Sequence, residues 1–306
     1  MLRGSFSHYS SFSQLLLSLL LVLGSFMLTM FAGTLLALII FDINIFTDTQ
    51  SLDIHSDALN ISVMKFYQSV YSIGMFIIPP FIFAFLVNKD ILKSLFLDKA
   101  AKLPTALLAT FIIIVSLPMI NMLAQINSYL SLPEFMSGIE TWMKNSEEQA
   151  KVVTEKFLVM NSVSDLLVNL VVIALIPAIG EELLFRGVLQ GIFGKLTKNI
   201  HWGIIITAFL FAALHMQFYG LLPRMAMGIL FGYLLIWSRS LWVPIIAHLA
   251  NNGMAVITKY YIDKGEISKE METIGANENY WFVGILSTVF VLLLLSFFRL
   301  ICKRQA

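Results

Sequence analysis

Residues 166–193 read LLVNLVVIALIPAIGEELLFRGVLQGIF, an apolar run longer than the 20 or so residues that a helix needs to cross a bilayer. Apolar runs recur along the chain at residues 15–41, 66–87, 104–124, 202–218, 221–237, 242–261 and 280–301. The chain of 306 residues is 58% hydrophobic and only 13% charged, which does not describe a soluble surface. The sequence therefore predicts an all-α, polytopic membrane protein with about eight transmembrane helices.

The rest of the composition limits the kinds of partner. A formal net charge of +1 without a basic tract gives no footprint for nucleic acid, so the expected partners are membrane lipid and a protein or peptide substrate. The single cysteine, Cys302, excludes an intrachain disulfide and any CxxC site. No linker separates a second domain, so residues 1–306 are treated as a single membrane domain whose oligomeric state the sequence leaves open.

Eight spans would put both termini on one side of the membrane. The charged residues of the loops on each side can then be counted to predict the orientation. The N-terminal side holds 12 of the 20 Lys and Arg residues and 4 of the 19 Asp and Glu residues, which leaves 8 basic and 15 acidic residues on the other side. Because cytoplasmic loops are enriched in Lys and Arg, both termini are predicted to be cytoplasmic. The twelve basic residues are Arg3, Lys89, Lys93, Lys99, Lys102, Arg186, Lys195, Lys198, Arg239, Arg299, Lys303 and Arg304.

The stretch 132–163 is the long polar interruption between the runs. Its mixture of charged residues with Trp142 and Met143 predicts a surface or interfacial helix outside the membrane. A simple connector is favoured over an element that gates substrate entry.

The run 166–193 contains three charged residues, Glu181, Glu182 and Arg186. A charge near the centre of a membrane helix costs roughly 2.5–3.5 kcal/mol, whereas a Leu or Ile contributes only about 0.3–0.6 kcal/mol. A Glu182–Arg186 ion pair, four residues apart on the helix, explains two of the charges without any chemistry. Glu181 is left without a partner, which indicates an interior or water-filled site.

Three further polar residues in the apolar runs, His215, His248 and Asn252, could belong to such a site. His248 and Asn252 are four apart and share a helix face. Glu181 and His215 each lie about 17 residues from residue 198, roughly 25 Å along a helix, so a hairpin would bring them to one level. His248 follows Arg239 by about nine residues and is expected to lie shallower on a straight helix, although kinks at Pro177 and Pro244 could close the gap.

The motifs Glu181-Glu182-x-x-x-Arg186, Phe211-x-x-x-His215 and His248-x-x-x-Asn252 resemble those of the CAAX-protease and bacteriocin-processing family of intramembrane endopeptidases. This family is also called the type II CAAX prenyl endopeptidase or Abi family. The three motifs occur in the family's order within residues 166–252. The resemblance implies eight membrane helices around an intramembrane active-site cavity that opens toward the cytoplasm.

The resemblance also implies roles for the individual residues. Glu181 and His215 would activate a water that attacks the scissile carbonyl, and His248 and Asn252 would stabilise the oxyanion. Glu182 and Arg186 would support the site, while Phe211 packs its wall. Glu181, His215 and His248 could instead supply the ligands of a zinc or other divalent ion. No HExxH motif is present, and metal-free glutamate chemistry without a cofactor is favoured.

Two functions of other classes remain open from the sequence. Buried Glu and His residues also form proton relays, as in a proton or peptide transporter. A non-catalytic immunity or scaffold membrane protein could keep the same residues for packing. The predicted location is a bacterial inner (plasma) membrane, and the substrate, prenylated or not, is left open.

Overall fold

The computed structural model describes residues 2–43, 60–276 and 280–305, and all its regular elements are helical. No strand occurs in these ranges, which confirms the predicted all-α membrane fold. The main helices are α1 (Ser11–Phe41), α2 (Ile61–Val87), α3 (Leu103–Ser128), α4 (Ser137–Phe157), α5 (Val163–Leu196), α6 (Ile200–Ala213), α7 (Leu221–Ser238), α8 (Trp242–Asp263) and α9 (Trp281–Gln305).

Each of the eight predicted runs forms a helix, but the helices differ in how well they match a bilayer. Among the described residues, six helices are long and apolar enough to cross a membrane, namely α1, α2, α3, α5, α7 with its preceding turn, and α9. Helix α6 has only 14 residues, or about 21 Å. Helix α8 has 22 residues but carries His248, Asn251 and Asn252, so its composition is less apolar. The two weaker spans therefore belong to the part of the chain that carries polar residues.

Helix α5 begins with local signals that the sequence contains. The Ser162 hydroxyl accepts a hydrogen bond from the Asp165 N–H at 3.2 Å, and the Asp165 carboxylate accepts one from the Ser162 N–H at 3.0 Å. This reciprocal capping box satisfies N–H groups that have no partner within the helix. It fixes where the helix that carries Glu181, Glu182 and Arg186 starts.

Helix α5 is not uniformly α-helical. Residues Leu170–Leu175 and Glu182–Leu189 form π-helical turns on either side of the α-helical stretch Ile176–Glu181. Pro177 lies at the start of that stretch and has no N–H to donate, which disturbs the regular hydrogen bonding of the turn before it. Wider turns of this kind often occur at functional sites. Here one of them begins between Glu181 and Glu182.

The two chain termini lie at the same end of the helix bundle, which we call the terminal end. The N–H groups of Gly4 and Phe6 donate to the carbonyls of Phe85 and Leu86 at 3.0 and 2.9 Å, so the chain start packs on the end of α2. The Leu241 N–H donates to the Phe96 carbonyl at 2.8 Å. Residues of this α7–α8 turn and Cys302 of α9 line the same small pocket, so the end of α9 lies beside the turn. Most of the basic residues counted above therefore gather at one end.

The other end of the bundle, which we call the distal end, carries α4 and the turn between α6 and α7. The Asn127 side chain donates to the Phe218 carbonyl at 3.0 Å, and the Tyr219 N–H donates to the Glu147 carboxylate at 3.2 Å. Trp142 packs on Phe218 with ring centroids 5.2 Å apart. The predicted helix in the stretch 132–163 is thus confirmed, and it is held against the bundle.

Close packing of α5, α6 and α7 depends on small residues. A Cβ at Gly203 would lie 2.7 Å from the backbone nitrogen of Gly194, and one at Gly228 would lie 2.8 Å from the Cβ of Ala208. Small residues at helix contacts let backbones approach, which is a common way of packing membrane helices. The approach at Gly228 also brings a backbone carbonyl of α7 to the charged residues of α5.

Candidate active site

A cavity of about 670 Å³ lies between the helices at the distal end. This volume is in the range of small-ligand sites, roughly 300–1,000 Å³. Helices α2 to α8 and the α6–α7 turn contribute to its wall. The wall includes all four residues predicted to be catalytic, namely Glu181, His215, His248 and Asn252. The structure thus brings together residues from three separate apolar runs, while their catalytic roles stay a prediction.

Glu181 contacts His248 rather than His215. The Oε2 atom of Glu181 lies 3.7 Å from Nε2 of His248, whereas no pair within 4.0 Å joins Glu181 to His215 in the described ranges. The Glu181 side chain is 15% exposed and that of His248 is 5% exposed, so the pair lies at the bottom of the cavity.

The expectation that His248 lies shallower than Glu181 was wrong. That expectation counted residues from Arg239 along a straight helix. In the structure Ser240 and Leu241 are buried, because the α7–α8 turn packs against the segment that follows α2. Helix α8 therefore starts deeper in the bundle, and its second turn reaches the level of Glu181.

The ring nitrogen of His248 that does not face Glu181 is hydrogen-bonded to Glu182. Nδ1 of His248 lies 2.9 Å from Oε1 of Glu182, and the imidazole stacks on Phe231 with centroids 4.9 Å apart and planes 20° apart. Since a carboxylate accepts hydrogen bonds, Nδ1 carries the proton and Nε2 faces Glu181. No local pattern predicts this contact, because it joins residues 66 positions apart.

The predicted Glu182–Arg186 ion pair is present and buried. One guanidinium nitrogen of Arg186 donates to Oε1 of Glu182 at 2.8 Å, and the other donates to the Gly228 carbonyl at 3.2 Å. The side chains are only 1% exposed for Arg186 and 0% for Glu182. The guanidinium also lies over the rings of Phe211 and Phe231, at 4.7 and 5.3 Å from their centroids. Arg186, Glu182 and His248 therefore form one buried chain of charges and hydrogen bonds that ends at Glu181.

His215 lies just beyond the end of α6 and its ring is exposed to the cavity. Nδ1 of His215 lies 2.7 Å from the Phe211 carbonyl, which can only accept, so Nδ1 is protonated and Nε2 is an acceptor. The Phe211 ring is 5.0 Å from the His215 ring and 6.0 Å from the His248 ring. Phe211 thus forms the wall between the two imidazoles, as predicted for its packing role.

Asn252 lies one turn beyond His248 on α8, and both line the cavity. The Asn251 side chain donates to Oδ1 of Asn252 at 3.1 Å, and Nδ2 of Asn252 donates to the Ile173 carbonyl at 3.4 Å. The amide is therefore oriented by its neighbours and has a second N–H available to a ligand.

Several wall residues were not anticipated as part of the site. Arg224 and Gln217 line the cavity near its mouth, and the Arg224 guanidinium donates to the Gln217 carbonyl at 3.3 Å and also to its side-chain oxygen. The charge of Arg224 in an apolar run was an available signal. Helix α4 contributes Val153, Thr154 and Phe157, so this helix is more than a connector.

The predicted alternative of a metal site was tested on the donor geometry. In the part of the chain that the structure describes, no group of three or more His, Cys, Asp or Glu side chains is arranged to hold an ion. Glu181 and His248 are adjacent, but Nδ1 of His215 is engaged with the Phe211 carbonyl. The set Glu181, His215 and His248 is therefore not arranged to hold a metal ion in this structure, and the metal-free reaction stays a prediction.

The segment that builds this site is similar to parts of two proteins whose names describe them as membrane peptidases, one of them putative. A protein named "Putative membrane peptidase YdiL" from Bacillus subtilis (strain 168) is 33% identical over 88 residues, which is 29% of this chain and 36% of that protein. The membrane-embedded CAAX protease MroQ from Staphylococcus aureus (strain USA300) is 30% identical over 115 residues, or 36% of this chain and 46% of MroQ.

The chain thus matches less than half the length of either relative. No solved structure matches it. Residues 163–254 match the family described as type II CAAX prenyl endopeptidase Rce1-like, and this range contains Glu181, His215, His248 and Asn252. The chain is therefore similar to the Rce1-like family of type II CAAX prenyl endopeptidases over this segment, which is less than a third of its length.

Proposed function

We propose that this protein is an intramembrane endopeptidase that hydrolyses a peptide bond of a protein or peptide with a water activated by Glu181. The observation that carries the proposal is the contact of 3.7 Å between Glu181 and His248 on the wall of an open cavity, inside the segment that matches the peptidase family. A buried carboxylate beside a fixed imidazole and an open space is a site where a water can be held and deprotonated.

The first step is attack by water on the scissile carbonyl carbon. Glu181 takes one proton from the water, and Nε2 of His215, which is an acceptor facing the cavity, accepts a hydrogen bond from it. A new C–O bond forms as the carbonyl π bond opens and leaves negative charge on the oxygen. Both groups act from the cavity wall, so the water must lie between them.

The second step is loss of the amine. Asn252 offers an N–H to the oxyanion, and His248 donates there when Nε2 also carries a proton. The proton held by Glu181 passes to the nitrogen of the leaving amine as the C–N bond breaks, so one water gives one acid and one amine. The position of His248 and Asn252 on one face of α8, on the wall of the cavity, supports this role.

Glu182 and Arg186 act as positioning residues in this scheme. Glu182 holds Nδ1 of His248 and so selects which ring nitrogen faces Glu181, and Arg186 holds Glu182. The arrangement corresponds to the acid that orients the histidine of a hydrolase triad. Neither residue touches the space where the substrate would lie, because both are buried.

We also propose that the protein lies in a bacterial plasma membrane with both termini in the cytoplasm. The distribution of 12 basic residues on the N-terminal side against 8 on the other supports this orientation. Many of the twelve lie at the terminal end of the bundle, where the two termini meet.

The function is tested by comparing the peptides in membrane and secreted fractions of cells that express the wild type or Glu181→Gln. We expect a set of peptides to disappear in the variant while the protein still inserts and purifies. Glu148→Gln is the matched control, because Glu148 is exposed on α4 and makes no contact with the cavity. An unchanged peptide set in Glu181→Gln would contradict the proposal and favour the immunity or scaffold function, and solute uptake by proteoliposomes without proteolysis would favour a transporter.

A further inference from the structure

We propose that substrates reach the active site from the extracytoplasmic side of the membrane. These substrates are polypeptide segments that emerge from the bilayer on that side or are exported to it. This inference rests on the proposed peptidase function and adds the side of the reaction and the class of substrate. It departs from the cytoplasmic opening that the family resemblance implied. The reason is that the cavity opens at the distal end of the bundle, away from both termini.

The position of each wall residue along its helix shows where the cavity lies. Helix α3 starts at the terminal end, and its wall residues Ile120 and Ala124 come near its far end. Helix α5 runs the opposite way, and its wall residues lie in its first half, as Val172 and Pro177 do, or at its midpoint, as Glu181 does. The remaining contributions come from the end of α4 and from the turn that contains His215 and Gln217. All these parts belong to the distal end.

The terminal end of the bundle is closed beneath the site. Directly after Glu181 on α5 come Glu182 to Arg186, all of them buried, followed by buried Val188 and Leu189. These side chains pack with buried residues of α2 and α7, including Phe83 and Leu235. A peptide approaching from the terminal end would have to pass through this packed core, which has the density of a solid interior.

Glu181 lies near the middle of α5. About 15 residues separate Glu181 from the end of α5 at Leu196, which is roughly 22 Å of helix. The hydrocarbon core of a bilayer is about 30 Å thick. Because 18 residues also separate Glu181 from Val163, Glu181 lies close to the midpoint of α5, and the open end of the bundle decides from which side it is reached.

The charges assign these ends to sides of the membrane. The basic residues Lys99, Lys102 and Arg239 line one pocket at the terminal end, and Lys89, Lys93, Lys303 and Arg304 belong to the same side. By the count along the sequence, 15 of the 19 acidic residues belong to the side opposite the termini. Because Lys and Arg mark cytoplasmic loops, the terminal end is cytoplasmic and the cavity mouth is extracytoplasmic.

The class of substrate follows from this geometry. Suitable substrates are exported peptides and membrane proteins whose cleaved bond lies next to the extracytoplasmic end of a span. A segment that remains in the cytoplasm cannot reach Glu181 through the closed end. The mostly apolar wall, with residues such as Val172, Pro177 and Met227, suits apolar side chains around the cleaved bond.

Labelling of single cysteines tests which side of the membrane the cavity faces, and it needs no knowledge of the substrate. Cys302 is the only cysteine of the chain, so Cys302→Ser gives a cysteine-free background. In it, Thr154→Cys marks the cavity wall, and Ala100→Cys marks the terminal end, because both residues are exposed and uncharged. We expect a membrane-impermeant maleimide to label Thr154→Cys in intact cells and Ala100→Cys only after permeabilisation. The reverse pattern would overturn the proposal.

A pair of reporters tests the class of substrate. Both carry the same cleaved segment, taken from the peptides that depend on Glu181, with the segment placed outside the membrane in one and in the cytoplasm in the other. We expect at least tenfold more cleavage of the outside reporter, and its loss with Glu181→Gln. Preferred cleavage of the cytoplasmic reporter would overturn the proposed side. Cleavage that survives Glu181→Gln would instead refute the peptidase function, and the labelling result would still report the side.

Discussion

Replacing Arg186 by Met tests whether the buried charges of α5 hold the site together. Arg186→Met keeps an unbranched apolar side chain but removes the hydrogen bonds of 2.8 Å to Glu182 and 3.2 Å to the Gly228 carbonyl. It leaves the Glu182 carboxylate at 0% exposure with only His248 as a partner. Oε2 of Glu182 already has no hydrogen-bond partner among the described residues.

The expected loss can be worked from this environment. Removing one member of a buried ion pair leaves an uncompensated charge and costs about 3–5 kcal/mol. The contacts of the guanidinium with Phe211 and Phe231 are desolvated, and such contacts contribute up to about 2 kcal/mol, part of which overlaps with the loss of the charge pair. We therefore expect Arg186→Met to lower the free energy of unfolding by about 3–5 kcal/mol.

The double variant Glu182→Gln with Arg186→Met distinguishes the cost of an unpaired buried charge from the cost of lost contacts. Removing both charges together removes the uncompensated carboxylate, so the double variant should be more stable than Arg186→Met alone by at least about 1 kcal/mol. Equilibrium unfolding in mixed detergent micelles measures both values, with Arg3→Met as the matched control because Arg3 is exposed. A double variant no more stable than the single one, or a single variant as stable as the wild type, would refute the reasoning.

Three further predictions concern packing, catalysis and metal. Gly228→Ala should lower the free energy of unfolding by about 1–3 kcal/mol, because its Cβ would lie 2.8 Å from that of Ala208, whereas Gly24→Ala, with nothing within 4 Å, should be neutral in the same unfolding measurement. Asn252→Ala should lower kcat by about 100- to 1,000-fold with little change in KM, since an oxyanion donor acts in the transition state; a raised KM with normal kcat would contradict that role. Incubation with EDTA should leave peptide cleavage by the purified protein unchanged, and activity that is lost and then restored by zinc would show a metal-dependent reaction.

The positions of the helices could be predicted because the bilayer itself imposes a simple rule. A backbone in hydrocarbon must satisfy its hydrogen bonds within each segment, so apolar length alone locates a span. The Glu182–Arg186 pair was equally predictable, since residues four apart on a helix are neighbours. The stretch 132–163 was predicted as a helix, but its place on the cavity wall could not be read from its own composition.

The depth of His248 shows why counting residues was not enough within the site. The count assumed straight helices and turns at the membrane surface. The buried turn at Ser240 and Leu241 moved α8 inward, and the π-helical turns around Glu181 changed the direction of successive side chains. The contacts of His248 with Glu181 and Glu182 are made across 67 and 66 positions of sequence, so no local pattern records them.

The amino-acid sequence by itself determined the all-helical membrane fold, the helix with three charges and the four polar residues of the candidate site, because each depends on composition or on neighbours within one helix. Only the tertiary structure decided that His248 is the partner of Glu181, that Glu182 holds its other ring nitrogen, and that the cavity opens away from the chain termini. These features depend on how deeply each helix is set against the others. That depth is a result of packing between distant parts of the chain, and hydropathy along a single helix does not contain it.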